Sequence, residues 1–208
     1  MAKNPKWCKP LSAWETYFTG WITTPEPQNL LDATVFFDFR NVFGDAFLAE
    51  SLRGSVSSSI INNPLFLYHL AYNTYNTKPP HISSGNILSD RNADMIDLKD
   101  AISIITLFVR TYSLQNKIVC QNTLERITTL KEKNVISEKS ADEIMFSYNF
   151  LMNLRFRNQA YLLDKNLPLS NSMNTRRMID TELYLLKKVL SSIPDIQNKI
   201  KTDFRITN

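Results

Sequence analysis

Two histidines, His69 and His81, two cysteines, Cys8 and Cys120, and 20 carboxylates are the side chains here that could move protons, attack a substrate or hold a metal. Two histidines cannot build a three-histidine zinc centre, and no His/Cys pair recurs at metal-ligand spacing. His69 sits in an aromatic-rich helical stretch, where packing is its first reading, and His81 follows Pro79 and Pro80 in a long loop. Cys8 stands beside Trp7 and two lysines, an environment that lowers a thiol's pKa, but no histidine is near it in sequence. Neither a Walker A loop nor Gly-x-Gly-x-x-Gly occurs, which argues against a self-sufficient ATPase or dinucleotide enzyme. Nucleotidyl transfer needs a Gly-Ser turn followed by a strand with two carboxylates two residues apart, which hold the divalent metals. Gly54-Ser55 is present, but no Asp-x-Asp follows it, and Asp90, Asp94 and Asp97 have the wrong spacing. A complete catalytic site is therefore missing, and with it any resident cofactor.

Charged groups set among apolar ones are the stronger signal. In Phe36-Phe37-Asp38-Phe39-Arg40, continuing to Phe43-Gly44-Asp45, an aspartate and an arginine lie among four phenylalanines. Desolvated charges persist only if paired or hydrogen-bonded. In one reading Asp38 and Arg40 tie structural elements together. In the other, Arg40 projects into a cleft and grips a phosphate or carboxylate with two parallel hydrogen bonds. Arg110 interrupts a second apolar stretch, and Arg155, Arg157 and Gln159 a third, as an internal polar network or a lined pocket would require. Asp97 and Lys99 precede the Arg110 stretch and either cap it or touch a ligand. Arg126, four residues after Asn122, reads by itself as a surface charge. Taken together these residues suggest a basic, aromatic-walled groove.

The elements that must position them are helices. Leu11, Trp14, Phe18 and Trp21 recur every three or four residues behind Pro10, and the prolines at 25 and 27 end that helix. Residues 35–40 read either as extended or as the start of a buried helix. Further helices are expected over 45–61, from Pro64 to Tyr75, and over 97–115. Asn122 should cap a helix that runs to Glu132. Ser137–Ser140 begins the next, with Ser140 and Glu143 matching a capping box, and it continues to Leu162. Thr175–Leu190 reads as one amphipathic helix, and Pro194 as the start of another. Residues 76–95 form the longest expected loop. No period-two alternation persists over several strands, so the fold class is all-α, a helical bundle preceded by an N-terminal helix and an aromatic turn, in a single domain over 1–208.

Composition narrows the partners. Only 4 glycines stand against 9 prolines, which disfavours phosphate-cradling loops and turn-dense sandwiches. The net charge of +4 is scattered, without the dense basic stripe and interleaved aromatics of a nucleic-acid surface. No apolar run approaches the roughly 20 residues that span a bilayer. Two cysteines form no disulfide framework and fit a reduced, cytoplasmic setting.

In order, Asn4-Pro5-Lys6-Trp7, Leu11, Trp14, Trp21-Ile22, Pro25, Pro27, Phe36 to Arg40, Gly44-Asp45, Leu52-Arg53, Pro79-Pro80, Asp97-Leu98-Lys99, Arg110, Asn122-Thr123, Arg126, Leu154-Arg155 and Gln159 resemble a known family. It is the C-terminal domain of bacterial nucleotidyltransferases related to protein-PII uridylyltransferase, often preceded by cyclic-nucleotide-binding or CBS domains. The resemblance covers about residues 1–165, and 166–208 reads as a helical extension. It implies a bundle like the C-terminal domain of kanamycin-type nucleotidyltransferases, with the catalytic domain upstream and the present start an internal stretch of a longer protein. Mg and a nucleoside triphosphate would be expected only with that missing domain. The resemblance implies phosphate or acceptor contact for Arg40, Lys99, Arg110, Arg126 and Arg155, and orientation for Asp38 and Gln159. A nucleotide or protein acceptor would then be the ligand. The competing reading is a helical interaction or dimerisation module in signal transduction, with Trp7, Trp14 and Trp21 at the interface of a homodimer.

Overall fold

The computed structural model describes residues 4–80 and 95–207. Most of the helices begin where the sequence offers a cap or a proline. The chain runs α1 (Leu11–Thr23), α2 (Pro27–Phe36), α3 (Ala46–Ile61), α4 (Pro64–Asn76), β1 (Met95–Asp97), α5 (Leu98–Gln115), α6 (Thr123–Glu132), α7 (Glu138–Asp164), β2 (Ser172–Asn174) and α8 (Asp180–Asp203). Pro27 and Pro64 sit in the first turn of α2 and α4, where a missing N–H costs nothing. Asp45, Asp97 and Asn122 cap α3, α5 and α6 by accepting backbone N–H groups at 2.9, 2.7 and 2.8 Å. The fold is an all-α bundle carrying one small antiparallel pair, in which Ile96 faces Met173.

Burial divides the bundle into two cores. Phe18, Ile22, Leu30, Phe37, Leu52, Val56, Ile60 and Phe66 bring α1 to α4 together. The larger core centres on α5, whose Ile104, Ile105 and Phe108 are fully buried against α6, α7 and α8. Helix α4 joins the two, giving Leu70 to the first and Ala71 to the second. The aromatic turn that closes α2 therefore lies along the seam between them.

Several expectations need correction. The ambiguous 35–40 run is the end of a helix: Val35 and Phe36 complete α2, and Phe37 is its C-terminal cap. Ser140 is not a cap but an interior residue of α7, because Ser137 accepts the Ser140 N–H at 3.2 Å and starts the helix earlier. Thr175–Arg177 is a short 3-10 turn, and α8 begins only at Asp180. Pro194 does not start a new helix; α8 passes through it to Asp203. A proline inside a helix costs about 3 kcal/mol, but Ile193, Ile196 and Ile200 continue the buried stripe begun by Leu186 and Val189. Burying such side chains is worth about 1.5–3 kcal/mol each, which outweighs the break. Of the expected 76–95 loop, Asn76 belongs to α4 and Met95 to β1. His81, Asp90 and Asp94 lie outside the described residues. Strands of three residues are too short for alternation to reveal, which is why β1 and β2 escape a pattern reading.

Candidate functional site

Asp38 stands where the two cores meet. Each of its oxygens accepts from a different arginine: Oδ1 from Arg126 Nη2 at 2.7 Å, and Oδ2 from Arg110 Nη2. The two guanidiniums come from α6 and α5 and are almost wholly buried, at 4% and 7% exposure. Burial raises the pKa of the Asp38 carboxyl, but Arg110 and Arg126 outweigh it and hold the group below its ordinary range. The cluster carries two positive charges against one negative, and Arg110 Nε and Arg126 Nη1 are buried with no hydrogen-bond partner. Of the two sequence readings of the aromatic segment, the structural tie holds for Asp38. Arg40, its expected companion, is exposed and makes no ion pair among the described residues.

Arg110 also looks into a cleft of about 640 Å³ between α2 and α5, within the roughly 300–1,000 Å³ typical of ligand pockets. Its α5 wall is Lys99, Ile102, Ser103, Thr106, Leu107 and Arg110, spaced at the three- and four-residue intervals of one helix face. Lys99 and Arg110 are thus about 16 Å apart along the axis, at 1.5 Å per residue. The opposite wall is Pro27, Leu31, Thr34 and Val35 of α2, with Leu31 and Val35 more than half exposed. Arg155 enters from α7 and completes the lining cations.

A chain of short bonds sets Arg155 beside the start of α5. Arg155 Nε donates to Asn171 Oδ1 at 2.9 Å, and the Asn171 carbonyl accepts the Leu98 N–H at 3.3 Å. Gln159 Nε2 reaches the same Asn171 oxygen at 3.5 Å, and Asn158 donates to the carbonyls of Ser170 and Ser172. The β1–β2 pair then fixes residues 171–174 against the entry to α5. Arg155 is held by a neutral amide, and neither it nor Lys99 has a carboxylate partner among the described residues. One end of the cleft consequently presents two uncompensated cations, and the other presents Arg110, shared with Asp38. Such a surface attracts phosphate or carboxylate and repels metal ions. Among the described residues, no group of three or more His, Cys, Asp or Glu could hold a metal.

The structure therefore brings Lys99, Arg110 and Arg155 together in one cleft, with Asp38 and Gln159 behind them as supports. It separates Arg126, which faces a different cavity, and Arg40. Arg126 is not the surface charge that its sequence position suggests. Asn171 is missed by sequence reading, since nothing marks an asparagine in a polar tract as the anchor of two residues on another helix. Serine and threonine at 103 and 106 were detectable as polar breaks on the Lys99–Arg110 face. The three tryptophans converge on Phe36, with ring centroids 4.8, 5.2 and 5.8 Å from it, so each is engaged inside the domain.

No helix of the described residues is long and apolar enough to cross a membrane. Neither a curated protein nor a solved structure matches the chain. A family described as "Putative nucleotidyltransferase DUF294" matches residues 1–28. A second match spans residues 64–204, from the first turn of α4 to the end of α8, and so takes in the cationic wall of the cleft. Through that match the chain belongs to the family described as "Putative nucleotidyltransferase substrate binding domain".

Proposed function

We propose that the α2–α5 cleft binds the phosphate-bearing substrate of a nucleotidyltransferase of the protein-PII uridylyltransferase type. One observation carries the reading: three cations and no carboxylate line a ligand-sized cleft in a chain of this family. Lys99 and Arg155 would contact the phosphate oxygens, the guanidinium in a two-bonded fork and the ammonium as a point charge. Leu31 and Val35 offer an apolar wall to the base or to an acceptor side chain. Asp38 orients Arg110 through the bond to its Nη2. The metal-binding carboxylates would be supplied by a separate nucleotidyltransferase domain, because the cationic lining here does not fit Mg. The chain alone would bind but not transfer. Calorimetry with UTP and with ATP tests this. Saturable binding of at least one nucleotide is expected, with about tenfold weaker affinity for Lys99→Met and for Arg155→Met, the loss of one charge-assisted bond each. Uridylyl or adenylyl transfer by the isolated chain, or no nucleotide binding, would contradict the reading.

A second reading, a helical interaction module, has an observation of its own. Val42, Phe43, Phe47 and Leu48 form an exposed apolar edge at the start of α3, with Phe43 98% exposed. Edges of this kind mark protein contacts. Sedimentation of the wild-type chain and of Phe43→Asp tests it: concentration-dependent association that the variant abolishes would support a dimer, and a monomer at all concentrations would remove it.

A further inference from the structure

Arg126 is 4% exposed, yet only two of its three guanidinium nitrogens are engaged. Nε donates to the Cys120 carbonyl and Nη2 to Asp38, both at 2.7 Å. Nη1 is buried without a partner. A dry donor of this kind costs roughly 1–3 kcal/mol, a cost that the bonds to Cys120 and Asp38 offset. The residue borders a cavity of about 40 Å³ that shares no lining residue with the α2–α5 cleft. A water needs about 10–15 Å³, so the space suits a few waters or one tetrahedral oxyanion, and it excludes a nucleoside.

The cavity's charge decides between those occupants. Arg53 and Lys117 line it with Arg126, no carboxylate does, and both Asp38 oxygens are already taken. Arg53 is held in place by its Nη2 bond to the Phe39 carbonyl at 2.8 Å and by stacking over the Phe39 ring. Lys117 sits just past the end of α5 in a left-handed turn, φ 55°. Gln121 and Ser57 add neutral polar groups to the same wall. Three cations and no carboxylate line a small space that opens to solvent, a lining suited to a single phosphate group. We infer that this cavity is an oxyanion site for one phosphate group, separate from the α2–α5 cleft and filled independently of it.

Inorganic phosphate is the probe, titrated into the full chain by calorimetry at constant ionic strength. Saturable binding near one equivalent is expected. Arg53→Met and Lys117→Gly should each weaken it at least tenfold, while Lys99→Met should leave it unchanged. Both variants spare the buried Arg126, and glycine is at ease in the left-handed turn, so the fold should survive at least one of them. A saturating nucleoside triphosphate should not displace the phosphate, because the two occupy different cavities. Absence of saturable binding would overturn the inference. So would loss of binding in Lys99→Met or competition by the nucleotide, either of which would place the phosphate in the α2–α5 cleft. If no nucleotide binds, the proposal for that cleft fails by itself, and the Arg53 and Lys117 variants still decide this one.

Discussion

Asp38 does two jobs with one charge: it closes the seam between the cores, and it fixes Arg110 at the end of the cleft. Removing the charge leaves two buried guanidiniums facing an amide. Breaking a buried pair in this way costs about 3–5 kcal/mol, and partial solvent access to Asp38 moves the expectation to the lower end. Asp38→Asn should therefore lower the melting temperature by roughly 6–12 °C, at about 2–4 °C per kcal/mol for a chain of this size. The pH dependence has a definite sign. The folded-state pKa lies below its ordinary 3.8, so on acidification the unfolded chain takes up the proton first. The stability that Asp38 supplies is whole above pH 4 and is lost as pH falls from there through the folded pKa. Urea titrations should show the same gap between wild type and Asp38→Asn at pH 7 and pH 5, and a smaller gap at pH 3. A gap that grows on acidification would contradict the assignment. This aspartate was legible in the sequence because it stands among phenylalanines. Its partners, 72 and 88 residues away, read as an arginine in an apolar stretch and as a surface charge, since sequence distance says nothing about which cation meets which anion.

At the scale of elements, the molecule depends on side chains that satisfy the ends of other helices. Gln197, 6% exposed on α8, points its amide at the carbonyls of Thr74, Tyr75 and Thr77, at 3.0, 3.0 and 2.7 Å. Those carbonyls close α4 and have no later turn to accept from. Gln197→Leu keeps the volume and strands them, so a loss of about 2–3 kcal/mol is expected in chemical denaturation. A loss within 0.5 kcal/mol of wild type would mean that water serves them equally well. The Tyr112 hydroxyl similarly donates to Asp203 at 2.6 Å and ties α5 to the end of α8. Periodicity located α1, α3, α4, α5 and α6 because each carries its own cap or proline. It placed the start of α7 within Ser137–Ser140 but read a capping box at Ser140, because the two serines offer the same chemistry three residues apart. It cut α8 at Pro194 because local propensity cannot see the tertiary burial of Ile193 and Ile196.

Two cores meet at α4 and α5, and the described residues include the α2–α5 cleft and a smaller cavity lined by Arg126. The family was readable from the succession of motifs, while the division of its arginines between two cavities was not. Arg110 and Arg126 bind different oxygens of one carboxylate and line different cavities. Under the proposed function, substrate sits in the α2–α5 cleft. Hydrogen exchange of the full chain with and without saturating UTP or ATP tests it most directly, since exchange reports local opening along the backbone. Slowed exchange is expected in residues 27–35 and at the start of α5 around Lys99, with little change in α6. Protection confined to other segments, or none with either nucleotide at saturation, would contradict it.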